Sequence, residues 1–239
     1  MKIIGFGSVR GAPGVTTTAT LIAGALPAPV VLVEADLAGS VMAVRYDLGR
    51  EPGLTSLAAC GPLEPDGWRA HAQDAGGVSV LVGPDSPASA RSLWRRAGTP
   101  LGLALTSADA TVVADLGRLD DDVPLIDHLS LLVILVRPVA EHLVTLSHRL
   151  PPLRSQGHRA PIAVVLVGEG PYRSVDVAGP LGVDVLGVLP HDPRAADALA
   201  GRGAGLTLGR SRLFREATGL ATTIHSAIGA TDERIGATR

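Results

Sequence analysis

Three sets of side chains in this 239-residue chain have the types and spacing of a phosphate-handling site. In "SVRGAPGVTTTAT" (8–20), Gly11 and Gly14 precede Thr16 and Thr17, between the apolar run "MKIIGF" and the helix-like "LIAGAL". A glycine-rich turn there lets backbone N–H groups surround a phosphate, and the following helix points its positive end at the same group. The Thr16 hydroxyl is the group type that holds Mg²⁺ in such a loop, but Val15 stands where its phosphate-contacting lysine belongs. Asp36 and Asp115 complete the set. Each closes an apolar run, where α/β proteins place ligands. Such an acid either serves a metal or a water molecule, or caps the next turn, and the sequence leaves both uses open.

These residues need a scaffold, and the rest of the chain describes one. Short β-branched runs at 2–7, 30–35, 78–83, 111–116, 131–136, 162–167 and 184–189 alternate with Ala- and Leu-rich stretches near 16–26, 88–105, 139–153, 193–201 and 211–228. Most of the runs are apolar on both faces, as strands covered by helices on each side must be. Hydrophobic residues make up 46% and aromatics only 3%, so Ala, Val, Leu and Ile must build the core, which suits helices on a parallel sheet. The pattern predicts a single α/β domain with a mostly parallel, roughly seven-stranded sheet flanked by helices. Residues 1–228 form the domain, and 229–239 a flexible C-terminal tail. Leu213, Ala217, Leu220, Ile224 and Ile228 give the last helix one apolar stripe, expected to be core. Residues 61–77 show no clear period and are expected as a loop or a short helix.

Several function classes lose support. The single cysteine, Cys60, excludes an intrachain disulfide and a cysteine-rich metal site, and is expected as a small buried hydrophobe. The seven histidines lack zinc-protease spacing, and no G-x-S-x-G elbow is present. A net charge of −2 gives no global pull toward nucleic acid or membrane. No apolar run nears the roughly 20 residues of a spanning helix, so a cytoplasmic protein without direct membrane insertion is expected. Lys2 is the only lysine, and asparagine is absent.

"RGAPGVTT" (10–17) resembles the loop K-G-G-x-G-K-[ST]-T of the ParA/MinD superfamily of deviant Walker A P-loop ATPases. Arg10 falls at the signature lysine, Ala12 at the second glycine and Val15 at the P-loop lysine. "VLVEADLAGS" (31–40) is similar to the family's Walker A′ strand, with Glu34 and Asp36 as its D-x-D, and "ATVVADLG" (110–117) to its Walker B strand. "VLPHDPRAADAL" (188–199) resembles the late strand and loop beside the adenine.

The resemblance implies a P-loop NTPase fold and ATP or ADP with Mg²⁺ as cofactor. Gly11, Gly14, Val15, Thr16, Thr17, Pro190 and Asp192 would line the nucleotide, Thr16 and Asp115 would hold the metal, and Asp36 and Arg10 would be catalytic. It also implies a homodimer with a protein partner. Arg10 keeps a charge in a wider fork than lysine, while Val15 keeps none. Loss of one charge-assisted hydrogen bond costs roughly 1.5–3 kcal/mol, and hydrolysis suffers further. The expected function is a positioning or assembly factor with a degenerate site and weak or absent hydrolysis. The alternative is a slow but genuine Mg-ATPase in which Arg10 contacts phosphate in cis or in trans. A DNA-binding partition protein rests on Arg202, Arg210, Arg212 and Arg215 alone, against which a solvated arginine-rich face is favoured. Arg91, Arg95 and Arg96 form a second basic group beside Trp94, which is expected to serve packing.

Overall fold

The apolar runs become eight strands in the computed structural model, which describes residues 2–11, 13–61, 64–155, 160–201 and 208–236. They are β1 (Ile3–Ser8), β2 (Val30–Glu34), β3 (Gln73–Asp74), β4 (Ser79–Leu81), β5 (Thr111–Arg118), β6 (Leu131–Val136), β7 (Ile162–Val167) and β8 (Asp184–Leu189). They lie in one sheet in the order β3-β4-β2-β5-β1-β6-β7-β8. Every pairing is parallel except that of β3 with β4. The seven expected strands are all present. The eighth, β3, lies inside the stretch expected as a loop or short helix.

Alternation along the strands builds two cores, because successive side chains point to opposite faces. Ile3, Val112 and Leu132 join one buried cluster, with Leu101 and Leu105, Leu146 and Leu150, and Val177 from the covering helices. Those helices are α4 (Pro87–Ser107), α5 (Ala140–Ser155) and α6 (Ser174–Leu181), with the shorter α3 (Leu54–Ala59) beside α4. Ile4, Val113 and Val133 join the other cluster, under α1 (Val15–Ala25) and α8 (Arg212–Gly236). All five residues of the α8 stripe are buried, and α8 packs on α1 and β8. The remaining helices are α2 (Met42–Arg45) and α7 (Pro193–Leu199). Helices α2, α3 and α6, four to eight residues long, lie outside the stretches expected to be helical.

One expectation needs correction, that for Cys60, and two further stretches gain definition. Residues 67–71 form a 3₁₀ turn ahead of β3, anchored by Trp68. The Trp68 indole N–H donates to Asp109 Oδ1 at 2.8 Å, and the Arg69 guanidinium covers the ring while bonding Oδ2 of the same carboxylate. Cys60 is exposed rather than buried: it ends α3, its N–H closing the last turn on the Leu57 carbonyl, while Leu54 and Leu57 take the core positions. Helix α8 runs from Arg212 to Gly236, across residue 228 where the domain was expected to end. Residues 237–239 lie outside the described residues.

Candidate functional site

Strand β1 sits between β5 and β6, where the chain switches from building one half of the sheet to building the other. A crevice opens at such a point beyond the strand C-termini. The loop from β1 to α1 enters it. Gly14 takes φ 86° and ψ 39°, a left-handed conformation that other residues adopt at a cost, and serves as N-cap of α1. It brings no side chain to cap the helix, so the N-cap residue leaves the first N–H groups of α1 open to another acceptor. Thr18 closes the first turn by donating its N–H to the Gly14 carbonyl at 2.9 Å.

Val15, the first residue of α1, is buried and packs into the cluster beneath α1 and α8. Its side chain is part of the core and adds no charge to the loop. Thr16 and Thr17 remain half-buried at the crevice.

Strand pairing brings the acids together, because Asp115 on β5 lies in register with Phe6 of β1 and Glu34 of β2. Asp115 is 1% exposed. Its Oδ1 accepts the Gly117 N–H at 3.0 Å, which is the turn-capping use, while Oδ2 is buried without a hydrogen-bond partner. Burial is the main force pushing the Asp115 pKa up to about 7. The Thr16 hydroxyl and the Gly117 N–H favour the ionised form, and the charges of Asp36 and Glu34 oppose it. The Thr16 hydroxyl stands near Asp115 without reaching Oδ2 in hydrogen-bonding geometry.

Asp36 lies two residues beyond β2, and its carboxylate covers the Cα of Gly117. A Cβ there would come within 2.1 Å of the Asp36 Cγ. Gly117 also has φ 59°, so two independent constraints demand glycine. Oδ1 of Asp36 accepts the Ala38 N–H at 2.8 Å. Burial raises the Asp36 pKa most, the Ala38 bond opposes it, Glu34 and Asp120 raise it further, and Arg118 lowers it.

Glu34, paired with Asp36 in the sequence reading, has a structural task. It is 2% exposed and accepts the Ser40 hydroxyl at 2.5 Å and the N–H groups of Val41 (2.6 Å), Met42 (2.9 Å) and Gly83 (3.1 Å). That carboxylate ties the start of α2 and the end of β4 to β2, and has no acceptor left over to work with.

Pro190 and Asp192 follow β8 and meet Pro13, Gly14 and Thr17 around a cavity of about 240 Å³. Asp192 accepts the Ala195 N–H at 3.0 Å, capping α7. Arg10 and Gly11 are exposed. Arg10 lines a neighbouring cavity of about 430 Å³ with Arg137, His142 and Glu169, none of which the sequence reading singled out. The available signal was position, since each follows directly on the C-terminal end of a strand or opens the next helix. No hydrogen bond or ion pair among the described residues joins Arg10 to Thr16, Asp36 or Asp115.

An unpartnered buried carboxylate oxygen, a nearby hydroxyl and further acids suit a cation, because the group lacks only positive charge. Thr16 and Asp115 therefore fit Mg²⁺. No cluster of three or more His, Cys, Asp or Glu side chains among the described residues could hold a metal by itself.

The two arginine groups behave as surface. Arg210, Arg212 and Arg215 are exposed, with Arg212 within 3.7 Å of Glu216, and Arg202 lies outside the described residues. Trp94 packs against the core beneath α4, its indole N–H buried and unpartnered. No helix among the described residues is long and apolar enough to cross a membrane.

No protein-family model matches the chain, and no curated protein matches it in sequence. Solved structures do match. The septum site-determining protein MinD of Pyrococcus horikoshii, complexed with Mg-ADP, superposes with a TM-score of 0.74 at 16% identity, over 96% of this chain and 98% of that one. A ParA family ATPase from Chlorobium tepidum gives 0.71 at 18% identity, over 92% and 97%. A McdA–ATP complex from Cyanothece gives 0.66 at 17%, over 94% and 96%. Near-complete coverage in both directions shows that this chain has the fold of the MinD and ParA ATPases.

Proposed function

We propose that this chain is a ParA/MinD-like positioning or assembly factor with a degenerate nucleotide site. Residues 1–228 carry the site, and the protein acts as a homodimer on a protein partner in the cytoplasm. ATP or ADP with Mg²⁺ binds weakly and is hydrolysed slowly or not at all. The observation that carries this reading is Val15: the residue matched to the P-loop lysine is an uncharged side chain buried in the core. The rest of the constellation persists in Gly14, Thr16, Asp36 and Asp115.

Arg10 favours a second reading, that of a slow Mg-ATPase, because its guanidinium is exposed beside the loop and has no ion pair among the described residues. Calorimetry with MgATP, followed by turnover of the wild type and Asp36→Ala, separates the two. The degenerate-site reading expects weak binding and no turnover that depends on Asp36. Submicromolar binding with Asp36-dependent turnover would sink it. Val15→Lys is expected to tighten MgATP binding about tenfold or more, since it returns one charge-assisted bond. Unchanged affinity in a folded Val15→Lys protein would refute the role assigned to that position.

A further inference from the structure

The cavity of about 430 Å³ beside the loop is separate from the crevice at the head of α1. It contains no residue of α1, whereas the neighbouring cavity is built on Pro13, Gly14, Thr17 and Thr18, and the two share only Val167 and His191. Arg10 enters it from the loop and Arg137 from the end of β6. Both guanidiniums are exposed, and neither forms an ion pair among the described residues.

His142, in the first turn of α5, stands against the loop. A Cβ on Gly11 would lie 3.6 Å from its Cε1 and 3.9 Å from its Nε2. Its Nδ1 faces the Arg137 N–H at 3.4 Å, so in the neutral ring Nε2 carries the proton. The start of a 16-residue helix adds its positive end to the same place.

We propose that Arg10, Arg137 and His142 form a second oxyanion site, on the far side of the loop from α1, which takes a phosphoryl group. Two planar guanidinium forks match a phosphate in geometry and charge, and an imidazole N–H supplies a third donor. The phosphoryl group is either free inorganic phosphate or part of a nucleotide's phosphate chain. This goes beyond the proposed nucleotide reading and does not depend on it.

The cavity is electrostatically mixed, and that gives the site its pH behaviour. Burial and the charges of Arg137 and Arg10 hold the His142 pKa below its ordinary value, while Glu141 pulls it upward. Glu169 and His191 also face the cavity. A bound phosphate offsets the two arginines and lets His142 take up a proton. Binding therefore strengthens as the pH falls through the His142 titration, and removing a carboxylate with Glu141→Gln also strengthens it.

The test uses the full chain and follows the His142 ring by NMR, assigned from the spectrum of His142→Gln. Inorganic phosphate and MgADP are added separately. The expected result is a His142 titration midpoint moved to higher pH by phosphate, with phosphate affinity lowered about tenfold or more in Arg137→Gln. Phosphate added to MgADP-saturated protein identifies the source. A further movement means a free phosphate, and none means the nucleotide's own chain occupies the site. If MgADP binds but neither ligand moves the midpoint, the oxyanion site is overturned and the nucleotide reading survives. If phosphate moves the midpoint while MgADP fails to bind, the oxyanion site stands and the nucleotide reading falls. Equal phosphate affinity in wild type and Arg137→Gln, or the same midpoint shift in both, also overturns the proposal.

Discussion

Replacing Asp115 with Asn tests whether the centre of the site is held at the expense of stability. Burial places the Asp115 pKa at about 7, against an ordinary value of 3.8. The folded protein thus binds that proton more tightly than the unfolded chain does. Stability from this group is fully present below pH 3.8 and falls as the pH rises toward 7, beyond which the loss levels off. A difference of about three pKa units corresponds to roughly 4 kcal/mol in all, of which about 2–3 kcal/mol falls between pH 5 and pH 8. Asparagine keeps an oxygen for the Gly117 N–H and cannot ionise, though its NH₂ faces the space where Oδ2 had no partner. Urea denaturation of both proteins at pH 5 and pH 8 measures the effect. The stability of Asp115→Asn relative to wild type is expected to rise by about 2–3 kcal/mol between the two pH values. Added MgADP is expected to narrow that gap at pH 8 by stabilising the wild type alone. A relative stability that does not change with pH would refute the claim that Asp115 is strained by its own charge.

Two further substitutions probe how the acids are held. Gly117→Ala adds a methyl that meets the Asp36 carboxylate on a backbone with φ 59°, so a loss of about 1–3 kcal/mol by thermal denaturation is expected. The Asp36 carboxyl resonance should shift with it, and an unmoved Asp36 would show that the two groups do not touch. Glu34→Gln replaces an acceptor of four donors by an amide that must turn its NH₂ toward some of them, and should cost about 3 kcal/mol in urea at pH 7. A cost no larger than that of an exposed Glu→Gln change would show that Glu34 is not the tie between β2, α2 and β4.

The sheet was legible because seven of its eight strands are runs of mainly apolar residues, from which a parallel, helix-covered sheet follows directly, whereas β3 is only Gln73–Asp74. The loop was legible because glycine spacing and a following helix are local features. Glu34 and Asp36, only two residues apart, looked alike in sequence. Their difference comes from which backbone N–H groups fold back over them, and Gly83 is 49 residues from Glu34. Cys60 misled because composition says what a residue type favours, whereas its place at the end of α3 decided the outcome. The cavity at Arg10 joins the loop after β1 to residues 137–142 and 167–169, far apart in the chain, and only the sheet order makes them neighbours.

Val15 carries a consequence for how this protein could change. A valine in that core contributes its buried methyl groups to stability, so the position now answers to packing as well as to phosphate. A lysine there would place a charge at the loop and at the same time withdraw side-chain volume from beneath α1. A lysine at this position would therefore trade stability for affinity, and a repacking change in α1 or α8 is what would recover the stability.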